Sequence, residues 1–159
     1  MPGGNRRLGR ELALQVLYSL PDQKGDIAQT LKSFWENFSF QDEAGGESGD
    51  ALLPSPLPVV RRFAESLVCG VVGHQQEIDP LLKAFSTNWS LDRMARVDLA
   101  LLRLAAYELL FCPEIPSNVI INEAIEIGKR FGTKETPSFV NGILDKISHS
   151  VRPPAEESG

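Results

Sequence analysis

The chain has 159 residues, 42% of them apolar and 23% charged, with a formal net charge of −5. That is the size and balance of one soluble domain with a core of its own. Two cysteines with no C-x-x-C pair argue against a disulfide scaffold or a zinc site, and no run of about 18 apolar residues offers a membrane span.

The charge is unevenly spread. Residues 1–10 hold Arg6, Arg7 and Arg10 and no acid, while residues 36–50 hold Glu36, Asp42, Glu43, Glu47 and Asp50 and no base. The two ends of this span therefore carry opposite local fields. The basic start lacks the uncharged apolar segment of a secretory signal. Glu11 and the helical pattern that follows also speak against a transit peptide. A cytoplasmic protein is expected.

After a short MPGGN lead, Leu8, Leu12, Val16 and Leu20 recur every four residues, with Leu17 beside them. This predicts an amphipathic helix from Arg6 to about Leu20, stopped by Pro21. A second helix is expected over Ile27 to Phe38, with Asp26 as N-cap and Ile27, Leu31, Phe34 and Phe38 inward. Then comes QDEAGGESGDALLPSPLP, rich in Gly, Pro, Ser and acids, which reads as an inserted acidic loop over about 40–57.

Helix resumes from Pro58 to Gly73, with Val60, Phe63, Ala64, Leu67, Val68 and Val71 inward. A shorter helix follows from about Gln76 to Phe85, with Pro80 early enough to be tolerated. SLDRMARVDLALLRLAAYELLF starts at Ser90, a candidate N-cap, and carries only Asp98, Arg103 and Glu108 as charges from Val97 to Phe111. A helix apolar nearly all round is a buried, central one. Pro113 and Pro116 end it.

Ser117 is then expected to cap a helix whose inner stripe is Ile121, Ala124, Ile125, Gly128 and Phe131, with Asn122, Glu123 and Glu126 outside and Gly132 as the stop. Thr136 followed by Pro137 reads as N-cap and first residue of the last helix, which buries Val140, Ile143, Leu144 and Ile147 and ends near His149. Residues 1–150 are expected to form one domain, and 151–159 a disordered polar tail. No segment alternates at period two. The fold expected is all-α, with about seven helices.

Catalytic constellations are absent. His74 and His149 lack ligand spacing, and no phosphate-cradling glycine loop or nucleophile elbow occurs. Glu123 and Glu126 lack the Glu-x-x-His partners of a carboxylate metal site, so a solvated face is expected. Cys69 and Cys112 fall in apolar helical patterns and read as buried thiols. No enzyme, metal or cofactor is expected.

Binding features are better represented. Arg6 and Arg10 share a helix face, Arg7 sits between them, and Tyr18 lies two turns on. Arginines neutralise phosphates and aromatics stack on unpaired bases. Read alone, the same arginines also suit a solubilising face, and Tyr18 a core edge. Phe139, just past Lys134 and Glu135 at the mouth of the last helix, is either a core plug or a stacking platform.

Three stretches together carry a resemblance: RRLGRELALQVLYSL, NWSLDRMARVDLALLRLAAYELLF and IPSNVIINEAIEIGKRFGTKETPSFVNGILDK. INEAIEI, KRFG and FVNGILDK, in that order, are the most specific part. They resemble the NusB family of transcription antitermination factors over most of residues 6–147, with no counterpart expected for 40–57. The resemblance implies an all-helical bundle of two packed helical halves and no catalysis. It implies binding of the single-stranded boxA element of nascent ribosomal RNA together with NusE, a small-subunit ribosomal protein, in a complex with RNA polymerase and other Nus factors.

The resemblance further implies that Arg6, Arg7, Arg10, Tyr18, Lys134, Glu135 and Phe139 face RNA, and that Asp98 and Arg103 face NusE. Some members of the family pair as homodimers. Two other readings are an accessory domain of an RNA methyltransferase and a helical protein-interaction scaffold. The catalytic half that the first would require has no pattern in this chain.

Overall fold

In a computed structural model, the described residues are 3–20, 26–44, 58–86 and 90–152. They form seven α-helices and one 3-10 turn, with no strand among them. None of these helices is long and apolar enough to cross a membrane. The helices are α1 (Gly3–Ser19), α2 (Ile27–Ala44), α3 (Pro58–Gly73), α4 (Gln75–Phe85), α5 (Arg96–Phe111), α6 (Ser117–Phe131) and α7 (Thr136–Val151). The chain divides into two compact units, Met1–Cys69 and Gly70–Gly159, with the boundary inside α3.

In the first unit, Leu12, Val16 and Leu20 of α1 are buried as their spacing requires, and Ala13 and Leu14 join them. Leu8, one turn earlier on the same line, is instead 39% exposed. Asp26 caps α2 as expected, its Oδ1 accepting from the N–H groups of Ala28 (3.0 Å) and Gln29 (3.4 Å). The α2 helix runs on through residues 41–44, which the sequence assigned to the loop. The rest of that loop, 45–57, and Pro21 lie outside the described residues.

Leu31 is buried, Ile27 and Phe34 are half-buried, and the side chain of Phe38 is outside the description. The α2 core anchor is instead Trp35, 4% exposed. Its indole N–H donates to Glu65 Oε2 at 2.7 Å, and the Arg61 guanidinium stands 4.9 Å over its ring. An indole can be buried at little cost only where its N–H finds an acceptor, and α3 supplies one. On α3, Val60, Ala64, Leu67, Val68 and Val71 are buried and Phe63 half-buried. Cys69 is exposed rather than buried, since it falls beside that stripe and not on it. Burial of its surroundings, and then Glu65, push its thiol above the ordinary value.

In the second unit, α5 packs against α4, α6 and α7, the central role expected of it. Its Ala100, Leu101, Leu102, Leu104, Ala105, Ala106 and Leu109 are all buried. Pro80 leaves α4 unbroken from Gln75 to Phe85. The start of α5 differs from the sequence reading. Ser90 opens only a 3-10 turn, Leu91–Arg93, without a side-chain cap, and the chain extends through Met94 and Ala95 before α5 begins at Arg96.

Ser117 likewise caps nothing: Pro116 holds the N-cap position of α6. The inner stripe of α6 is Ile120, Ala124, Ile127 and Gly128, and Ile121, Ile125 and Phe131 are only half-buried. A nearly continuous apolar run, VIINEAIEI, fits two adjacent stripes, and the neighbouring helices choose between them.

On α7, Val140, Ile143, Leu144 and Ile147 are buried as expected. The helix continues to Val151, and Arg152 stays ordered against the unit, so the tail does not begin at Val151. Arg152 donates to the carbonyls of Glu108 (3.2 Å), Leu109 (3.0 Å), Cys112 (2.8 Å) and Ile115 (2.6 Å), and to Ser117 Oγ (3.3 Å). It thereby closes the carbonyl end of α5, where a cation is also favoured by the helix dipole.

Candidate nucleic-acid interface

The site predicted around Phe139 is built on a tight turn. Gly132 ends α6, its N–H bonded to Gly128 O at 2.9 Å. A Cβ at Gly132 would fall 2.6 Å from Thr136 Cβ, so the close approach of this threonine requires glycine. Thr136 is fully buried. Its hydroxyl accepts from the Thr133 N–H at 3.0 Å and donates to Asp98 Oδ1 at 2.6 Å. The sequence made Thr136 an N-cap. In the structure Glu135 takes that position without a side-chain bond, and the Thr136 hydroxyl turns away to tie the α6–α7 turn to the first turn of α5.

That tie shapes a groove of about 370 Å³ lined by Arg93, Met94, Ala95, Asp98, Glu135 and Phe139. Phe139 is half-buried, so its ring forms part of the wall while its inner edge meets the protein. Glu135 is exposed, and the Thr133 hydroxyl reaches its Oε1 at 3.4 Å. Lys134 is exposed at the turn. The α7 wall thus offers the Phe139 ring and the Glu135 carboxylate, the α5 side adds the Asp98 carboxylate, and Arg93 adds a cation. Such a set can stack a base, accept hydrogen bonds from its edge and neutralise a phosphate. Arg93, Met94 and Ala95 escaped the sequence reading. Their signal is the short DRMAR segment, with two arginines, ahead of an apolar helix.

In the first unit the arginines separate. Arg10 is 3% exposed, with its guanidinium 5.7 Å from the Phe63 ring centre, and Arg6 is half-buried. They do share a helix face, but that face turns inward. The expectation of an exposed Arg10 is therefore corrected. Gly9 explains the geometry: a Cβ there would lie 2.5 Å from Phe63 Cδ2, so α1 and the ring meet without a side chain between them. Arg7 is exposed and Tyr18 is 48% exposed. Eleven residues apart, they point in nearly the same direction, about 16 Å apart along α1.

Asp98 and Arg103, expected on a single partner surface, have different neighbours. Asp98 belongs to the groove. Arg103 holds Asp79 of α4 in a two-pronged pair, Nε to Oδ1 and Nη2 to Oδ2, both 2.9 Å, with the side chains 17% and 22% exposed. Among the described residues no group of three His, Cys, Asp or Glu could hold a metal ion. The His74 ring stacks on Phe111 at 4.0 Å, and the Nδ1 of His149 lies 2.8 Å from Asp145 O. Beside Phe111, burial and then the negative neighbours Cys112, Glu108 and Glu114 push the Tyr107 phenol above its ordinary range.

The sequence profile described as the NusB family matches residues 7–149. The transcription antitermination protein NusB of Syntrophotalea carbinolica is 56% identical over 153 residues, spanning 96% of this chain and 97% of that protein. Among solved structures, T. maritima NusB superposes with a TM-score of 0.76 at 32% identity, covering 100% of this chain and 99% of the other. The fold also matches, with a TM-score of 0.70 at 24% identity, a chain in a crystal structure of the antitermination factors NusB and NusE in complex with dsRNA. That match covers 94% of this chain and 99% of the other. With its helices, its α6–α7 turn and nearly its whole length accounted for, the chain belongs to the NusB family.

Proposed function

We propose that this chain is a non-catalytic, RNA-binding transcription antitermination factor. It binds the single-stranded boxA element of nascent ribosomal RNA together with NusE, and in the cytoplasm supports processive transcription by RNA polymerase with other Nus factors. The observation that carries this reading is the groove at the start of α7. There a half-buried Phe139 ring, two carboxylates and Arg93 converge on a space of about 370 Å³. Family membership supports it, because the relatives are named for antitermination. The same names do not favour the methyltransferase-domain reading.

In this reading Phe139 stacks on a base, Glu135 accepts from an exocyclic amino group, and Lys134 and Arg93 meet phosphate. On α1, Arg7 and Tyr18 form the exposed contact, Arg6 assists from its half-buried position, and Arg10 acts by fixing the helix on Phe63. Asp98 and Arg103 mark the α5 side for NusE. A homodimer that covers Tyr18 or Phe139 would compete with RNA.

The test is fluorescence anisotropy with a short boxA-like RNA and a scrambled control, at two salt concentrations, with and without NusE. Specific binding that weakens with salt and strengthens with NusE is expected. Equal binding of both RNAs under every condition would refute the reading and leave a helical protein-interaction scaffold.

A further inference from the structure

Glycine inside a helix is less favourable than alanine, so each such glycine calls for a reason. Three within the described helices have an internal one. A Cβ at Gly9 would strike the Phe63 ring, at Gly70 the Tyr107 ring, and at Gly128 it would come 3.0 Å from Thr136 Cγ2. Gly142 differs. It lies well inside α7, is exposed, and has nothing within 4 Å of a Cβ built upon it. Packing within the described protein does not require this glycine, and it marks neither a turn nor a helix end.

Its position suggests what does. Gly142 lies seven, four and three residues after Glu135, Ser138 and Phe139, so it occupies the same helical stripe as the two groove residues. The bare backbone at Gly142 extends that wall of the groove by one turn. A Cβ would hold a neighbour off, whereas glycine lets it approach the main chain.

The chemistry of the neighbour follows from the groups around it. In a helix interior the N–H groups are already bonded within the helix, and the available main-chain atoms are carbonyl oxygens with a spare lone pair. Within four residues of Gly142 the charged side chains are Asp145, three residues on, and Lys146, four on, while Glu135 lies two turns back, beside Lys134 and near the Arg93 of the groove. Main-chain acceptors with the Asp145 carboxylate three residues on welcome a hydroxyl donor. A ribose offers one in its 2′-OH, the group that distinguishes RNA from DNA.

We propose that Gly142 seats the ribose next to the base stacked on Phe139, with the bare helix backbone and Asp145 receiving its 2′-OH. This rests on the RNA reading of the groove. The experiment compares wild type, Gly142→Ala and Phe139→Ala, each with NusE, for binding a short boxA-like RNA and its all-2′-deoxy counterpart, with urea unfolding of each protein in parallel.

Gly142→Ala is expected to unfold at higher urea than wild type, yet bind the RNA at least five-fold more weakly and lose most of its preference over the deoxy strand. If Phe139→Ala weakens binding while Gly142→Ala leaves affinity and RNA preference unchanged, the ribose seat is overturned and the groove stands. A Gly142→Ala protein less stable than wild type would reveal an internal role and overturn it too. If Phe139→Ala binds like wild type, or wild type does not bind the RNA, the groove reading falls and the seat with it.

Discussion

Replacing Arg152 tests whether one residue closes the second unit. Its guanidinium meets four carbonyls and one hydroxyl, but those carbonyls are not equally dependent on it. Glu108 O also accepts from Cys112 N–H at 2.9 Å, and Cys112 O from Ile115 N–H at 3.0 Å. Arg152→Ala therefore falls hardest on Leu109 O and Ile115 O. A carbonyl left without its partner costs about 1–3 kcal/mol where it is buried, and less where water can enter. Loss of a cation at a helix C-terminus adds about 0.3–1 kcal/mol.

Because Arg152 is only half-buried, the expected total is roughly 2–4 kcal/mol, near the lower end of what those contributions allow. Arg152→Lys should recover about half, since an ammonium keeps the charge but lacks the planar fork that spans several acceptors. Arg152→Met, which keeps the aliphatic stem, should resemble alanine. Urea unfolding followed by far-UV circular dichroism measures all three. A loss below about 0.5 kcal/mol for Arg152→Ala would show that water replaces the guanidinium freely and refute the reasoning.

Thr136→Val keeps shape but removes the hydroxyl from a fully buried site, leaving the Thr133 N–H and Asp98 without it. A loss of about 1–3 kcal/mol is expected in urea unfolding, with faster amide exchange at Thr133, and an unchanged midpoint would count against the tie. Phe139→Ala should weaken RNA binding by about 1–3 kcal/mol in the anisotropy assay. Because its ring is half-buried, its stability cost should stay below the ~3–5 kcal/mol of a fully buried phenylalanine, and a larger cost would return it to the role of core plug.

For Cys69, the raised thiol pKa means less thiolate at a given pH. Iodoacetamide should therefore label it more slowly than free cysteine at pH 8.5, gaining rate as the pH rises past the ordinary thiol value. Labelling as fast as free cysteine would show that the surroundings do not hold the proton.

Periodicity alone determined the all-helical class, the bounds of α3, the buried stripe of α7 and the central place of α5, because apolar spacing encodes which face leaves water. Asp26 was legible for a similar reason: an N-cap acts within three residues of itself. The motifs of the last two helices carry the family, and with it the expectation that Phe139 and Glu135 face RNA.

What the sequence left undecided depended on contacts between distant segments. Arg10 reads as exposed until Phe63, more than fifty residues away, is seen beneath it. Thr136 reads as a cap until Asp98 claims its hydroxyl. Arg152 reads as tail until the carbonyls ending α5 gather round it. Ile121 and Ile125 read as the inner face of α6 until the neighbouring helices took in Ile120 and Ile127 instead. A polar group forms whichever bond the folded chain brings within about 3 Å. Local spacing sets which way a side chain points along its own helix, and only the tertiary structure decides what it finds there.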